Sequence, residues 1–331
     1  MPRRLFIIYM FCCVVLNLPI SASNAAPIEG NTYALDVHNS FAYLGVGQQL
    51  VVFDVTDPRA PVQVAEVEEL GDSVQDIQVI GDLAFIATGT TGLHIIDVSN
   101  PAQPVKISSS KTPGMVTGVY VADGYAFLAA GGAGLLIMDV SDPANPTAVA
   151  LSRTLAWDTN VFVSGGYAYV ASGAEGVRVV DIADPTKPLT IGRIQTPNDA
   201  NDVFVDGDHI FIAAGSGGLQ IVNISDPFNP QQVAVVDTGY TRRVHVDAGF
   251  AYVATERNGV WAINISNPAA PRRTKRFKPQ GSANSLTVEG DHIYVADGVG
   301  GLLVLNLSRD RSREIHRAFV PALPAVIRPE S

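Results

Sequence analysis

The sequence predicts an all-β protein, a seven-bladed β-propeller of four-stranded antiparallel blades. Three observations lead there. The turn Asp139-Val140-Ser141-Asp142-Pro143-Ala144-Asn145-Pro146 recurs, with near-copies at 54–61, 97–104, 181–188, 223–230 and 264–271, and the first prolines lie 43, 42, 42, 42 and 41 residues apart. A fixed period of this length marks a repeat architecture. Each period also holds four short runs rich in Val, Ile, Tyr and Phe, divided by Gly, Pro and Asp turns, with no helical periodicity; this is the pattern of strands. Finally, the third run of every unit is almost continuously apolar. Such a strand is buried on both faces, as a blade is between two neighbours in a propeller. A linear solenoid would use shorter repeats with one or two strands per turn.

The chain opens on a segment read as a leader. Arg3 and Arg4 precede an apolar run over residues 5–20, followed by small residues at 21–26. That is the layout of a secretory signal peptide over 1–26, cleaved near Ala25 or Ala26. The alternative is an uncleaved anchor, although the run falls short of the ~20 apolar residues that span a bilayer. Cys12 and Cys13, the two cysteines of the chain, both lie in this leader, so the mature chain holds no disulfide and no thiolate site. Removal of Arg3 and Arg4 takes the net charge from −10 to −12, which argues against bulk nucleic-acid binding. The expected location is outside the cytoplasm: periplasmic, secreted or at the cell surface. No transmembrane span is expected after cleavage.

The propeller is expected over 27–320, with a tail at 321–331. The unit at 115–151 shows the plan. Val119-Tyr120-Val121 is the first strand, and Ala122-Asp123-Gly124 turns the chain. Tyr125–Ala129 is the second, a glycine loop follows at 131–134, and the third strand runs into the proline turn and a fourth strand at 147–151. The turn suits its place. Asp142 can accept from its own downstream backbone and Pro143 presets the next φ. Pro146 enters the outer edge strand, where a missing N–H faces solvent and strand addition is blocked. The seventh unit lacks both prolines and reads Ser308-Arg309-Asp310-Arg311. Its outer strand comes either from 314–320 or from the N-terminal side near Ile28.

The third strand and turn, as in Leu93-His94-Ile95-Ile96-Asp97-Val98-Ser99-Asn100-Pro101, and again at 135–143, 177–185 and 219–227, resemble the LVIVD repeat family. The resemblance covers essentially the whole chain after the leader. It implies a β-propeller in an exported or cell-surface protein, mostly bacterial or archaeal, and it implies no defined reaction.

Several motifs have plain structural readings. The Gly215-Ser216-Gly217-Gly218 loop leads into a strand, whereas a dinucleotide fingerprint leads into a helix. Asn223, Asn264 and Asn306 match the glycosylation pattern, yet stand where other repeats carry Asp and are read as bonding the adjacent turn. The six histidines show no zinc spacing, and neither a calcium loop nor a nucleophile elbow is present. No metal and no cofactor are expected.

A site is expected on the face carrying the glycine loops, because loops on a rigid scaffold carry function. The residues before the first-strand valines, Asp36, Asp76, Gly118, Asn160, Asp202, Arg243 and Ser285, are read as a polar ring around the channel. Blade six departs from the other glycine loops with Thr255-Glu256-Arg257-Asn258-Gly259, and its first strand follows Arg242-Arg243. Departures from a local rule mark candidate sites. The ligand-binding candidates are therefore Trp157, Arg243, Glu256 and Arg257, with Asp76 and Asp202 from the ring. A basic patch is expected on the outer strands of blades six and seven, from Arg272, Arg273, Lys275, Arg276, Lys278, Arg313 and Arg317. It serves either to dock an anionic surface or to guard strand edges.

The leading reading is a monomeric, non-enzymatic module that binds a protein, a glycan or an anionic envelope surface. The alternative is a hydrolase or lyase acting on a polysaccharide or lactone at the glycine-loop face. Asp76 and Asp202 would then be the carboxylate pair, which requires about 5–9.5 Å between them.

Overall fold

The computed structural model describes residues 31–256 and 258–307 in full, and the backbone of 315–318. The expected leader, the tail, Arg257 and Arg313 lie outside the described residues. The strands form seven antiparallel sheets, each of four strands consecutive in sequence. The innermost strands are Thr32–His38, Asp76–Ile80, Gly118–Ala122, Asn160–Ser164, Asp202–Asp206, Arg243–Asp247 and Ser285–Glu289. The first of these packs against the innermost strands of both blade 2 and blade 7, which closes the ring. Blade 7 takes its outer strand from Ile315–Ala318, paired with Leu302–Asn306, so of the two expected sources the C-terminal one supplies it.

The apolar third strands explain the architecture. Their side chains alternate between the two faces of a blade, and both faces are covered. Seven hydrophobic clusters result, one in each crevice between adjacent blades. Leu50, Val52, Ile86 and Ile96 join blades 1 and 2. Val51 and Phe53, on the opposite face of the same strand, meet Tyr294 and Val304 of blade 7.

Each recurrent turn is held by two side-chain caps. Asp139 Oδ1 accepts from the Ser141 N–H at 2.9 Å, and Asp142 Oδ1 accepts from the Ala144 N–H at 3.1 Å. Asn223 and Asn264 play the same part, accepting from the N–H groups of Ser225 and Ser266. Asn306 differs: its amide lies 3.3 Å from His292 Nε2. The outer strand begins directly after the second proline, as at Thr147 behind Pro146. In blades 1 to 6 a bulge then shifts the pairing of third and outer strands at one equivalent place. Bulge and proline together blunt the edge.

The glycine loops serve a close approach. Gly134 has φ of 108°, and a Cβ there would stand 2.2 Å from the carbonyl oxygen of Ser152, the last residue of the outer strand. Gly92, Gly176, Gly218 and Gly259 repeat the arrangement.

Candidate functional site

Register decides what faces the channel. Asp76, Gly118, Asn160, Asp202, Arg243 and Ser285 each pair with an alanine of the second strand, at 87, 129, 171, 213, 254 and 296. In blade 1 the residue at this level is Ala34, opposite Gly45. Asp36 pairs with Tyr43, as Gln78 pairs with Phe85. The expected ring is therefore corrected by two residues in blade 1, where the longer first strand hides the offset. Asp36 belongs to a deeper layer with Gln78, Tyr120, Phe162, Phe204, His245 and Thr287.

That deeper layer has two halves. Four rings run side by side along one wall, with centroids 4.8 Å (Tyr120–Phe162), 4.8 Å (Phe162–Phe204) and 4.9 Å (Phe204–His245) apart. On the other side, Asp36 accepts from the Val79 N–H at 2.7 Å and Gln78 from the Val121 N–H, each linking its blade to the next. Burial pushes the Asp36 carboxyl up to about 7 despite these bonds, and pulls the His245 imidazole down to about 4.

Above this layer Arg243 reaches across the channel. Its guanidinium lies 3.5 Å from Asp202 of the adjacent blade and 3.4 Å from Asp76 of blade 2, and donates to the Gln75 carbonyl at 3.3 Å. The other oxygens of the two carboxylates accept from the N–H groups of Val119 and Val244. All four carboxylate oxygens are thus engaged. Burial raises both carboxyls, that of Asp202 to about 6, against the opposing pull of Arg243.

Over this bridge opens a funnel of about 190 Å³, lined by Tyr33, Gln75, Thr117, Thr159, Asn201, Arg242 and Asn284, with Tyr240 and Arg243. The first seven come one from each blade, at equivalent positions 41 or 42 residues apart. Sequence reasoning stopped one residue short of them, although the run of polar side chains at a fixed period was a readable signal. Their donors are largely engaged in joining blades. Thr117 donates to the Asp158 carbonyl, Thr159 to that of Ala200, Asn201 to that of Thr241 and Asn284 to that of Thr32. What they leave for a ligand is mostly acceptors: amide oxygens and hydroxyl lone pairs.

The predicted site residues divide between these features. Arg243, Asp76 and Asp202 come together as the bridge. Glu256 pairs instead with Arg242 at 2.7 Å, and the Arg242 guanidinium lies 5.6 Å from the centre of the Tyr33 ring. The arginines of blade six therefore diverge, one inward and one along the funnel wall. Trp157 stands on the rim, about half exposed, in a cleft of about 460 Å³ that shares Thr159 and Asn201 with the funnel. Its indole lies against the loop of blade 3, where a Cβ on Gly131 would come within 3.0 Å of it. Tyr240 takes the equivalent place over Gly215, with Asp199 between the two in ring order.

The basic residues lie elsewhere. Arg272, Arg273, Lys275 and Arg276 belong to the outer strand of blade 6, with Lys278 just after it. Arg317 falls in the outer strand of blade 7. Among the described residues no three His, Cys, Asp or Glu side chains group as a metal site, and no helix is long and apolar enough to cross a membrane.

Comparison with known proteins agrees with the geometry. Solved structures share the fold at low identity: the computationally designed Ika8 protein (TM-score 0.65, 10% identity, 91% of this chain and 93% of that one), the Neurospora crassa Pan2 WD40 domain (0.65, 14%, 83% and 88%) and the RRP9 WD40 repeats (0.68, 12%, 83% and 89%). A search of the curated proteins gives no match. The LVIVD repeat model matches seven times, at 29–68, 71–112, 113–154, 158–196, 197–238, 238–278 and 280–310, one match for each blade. The chain belongs to the LVIVD repeat family.

Proposed function

We propose that this propeller is a non-enzymatic binding module whose glycine-loop face takes a hydroxyl-rich ligand, a glycan end. The carrying observation is the funnel: one polar side chain from each blade, with donors engaged between blades and acceptors left over. Sugar hydroxyls supply the matching donors. Trp157 and Tyr240 add apolar faces at the rim, as a sugar ring requires. The enzymatic alternative needs Asp76 and Asp202 free to address a bond, whereas each of their oxygens already has a partner. We further propose that the chain is exported, on the strength of the leader-like segment at 1–26; N-terminal sequencing of the protein from host fractions tests this.

Glycan-array screening followed by calorimetry tests the binding. Trp157→Ala and Tyr240→Ala should each weaken the best ligand by about tenfold or more, since a base or ring stacked on an aromatic typically contributes ~1–3 kcal/mol. Equal binding by wild type and both variants would remove the funnel rim from the site.

A further inference from the structure

The outer strand of blade 6 is a second surface with its own chemistry. Five cations stand within seven residues, Arg272 to Lys278. The other outer strands are nearly bare of charge: Thr-Ala-Val-Ala-Leu-Ser in blade 3 and Gln-Gln-Val-Ala-Val-Val in blade 5. Edge protection does not account for this contrast. If the propeller needed cations to keep its perimeter from pairing, blades 3 and 5 would need them too, and bulge and proline already blunt every edge from blade 1 to blade 6.

The cations are held in place along one line. The bulge at this strand, between Ala262 and Ile263 in the pairing, sets Arg273 and Arg276 over the same neighbour. Their guanidinium carbons lie 5.2 and 5.4 Å from the centre of the Trp261 ring, and Arg273 also donates to the Asp237 carbonyl of blade 5 at 2.7 Å. Lys275 Nζ sits 4.6 Å from the centre of the Phe277 ring. Trp261 packs in the crevice toward blade 5 and Phe277 in the crevice toward blade 7. The charges thus lie on both flanks of one strand, a narrow ridge about 20 Å long at ~3.3 Å per residue. Among the described residues, no carboxylate forms an ion pair with Arg272, Arg273, Arg276 or Lys278.

We infer that this ridge binds a linear anionic polysaccharide bearing carboxylate or sulfate groups. A chain laid along the ridge meets cations on both flanks, while a flat bilayer would meet only the crest. Each aromatic ring of the ridge already carries a cation on a face, which removes the stacking platform that single-stranded nucleic acid uses. The guanidinium forks suit carboxylate and sulfate oxygens.

The test measures binding of the folded full chain to polygalacturonate and to dextran sulfate, beside phosphatidylglycerol vesicles and single-stranded DNA. The polysaccharides should bind, more weakly as salt rises. The triple variant Arg272→Ser/Arg273→Ser/Arg276→Ser should bind at least tenfold more weakly. A Lys106→Ser/Arg193→Ser control on other blade edges should bind as wild type. Because Arg273 and Arg276 also pack on Trp261, a second variant, Arg272→Gln/Lys278→Gln, spares that contact and should weaken binding by at least threefold. Unchanged affinity in the second variant overturns the inference, as does binding of vesicles or DNA as tightly as of the polysaccharides.

Discussion

Arg243 is the residue on which the channel turns. Two half-buried carboxylates from blades 2 and 5 face its single cation, so the set keeps one net negative charge. Arg243→Leu should leave both carboxylates without a counter-charge and destabilise the fold by about 3–5 kcal/mol, the usual cost of breaking a buried pair; urea unfolding measures it. Asp36 makes a separate prediction. Its folded carboxyl is raised to about 7, so the folded state holds a proton that the unfolded state releases above its ordinary 3.8. Stability should therefore rise as pH falls from 8 toward 6.5, by at most about 4 kcal/mol over the full shift at 1.36 kcal/mol per pH unit. Below 6.5, His94 and His245 oppose this, because both are held near 4 in the fold and must take up a proton on unfolding. Thermal melts between pH 5 and 8 should show the rise in wild type and lose it in Asp36→Asn. The histidine-driven fall at lower pH should remain.

At the scale of the element, the turn and the glycine loop carry most of the repeat's signature, and both are structural. The loop brings the last carbonyl of the outer strand so close that any side chain collides, as at Gly134. Gly134→Ala should cost about 2 kcal/mol or more, from a forbidden contact added to a positive φ. Gly165→Ala, at a positive φ with open space around it, should cost only about 1 kcal/mol. Equilibrium denaturation of the pair separates collision from backbone preference. These elements were legible because their causes are local: an Asx cap needs Asp or Asn at one place, and a preset φ needs Pro at the next. The deeper layer of the channel was less legible, since a first strand lengthened by two residues moves Asp36 without any mark in the repeat spacing.

For the molecule as a whole, the ring closes through blade 1 packing on blade 7, and no blade has a core of its own. Each hydrophobic cluster belongs to two blades, so loss of one blade's cover should be felt around the ring. Truncation after Leu307 removes the outer strand at 315–318 and exposes the paired edge of Leu302–Asn306. The shortened chain should melt several degrees lower and associate through that edge; light scattering and calorimetry together check both. The two proposed surfaces also belong to this scale: the funnel takes one residue from each blade, while the cationic ridge departs from an otherwise nearly uncharged perimeter.

The sequence by itself determined the strand content, the repeat number and the turns, because period, polarity and turn chemistry act within forty residues. It also placed Trp157, Arg243, Asp76 and Asp202 on the right face. Only the tertiary structure decided their partners. Arg243 and Asp76 are 167 positions apart, and Glu256 answers Arg242 rather than its neighbour. Partner choice across a closed ring depends on strand register and on which side chains converge at the axis, and neither is written in any one repeat.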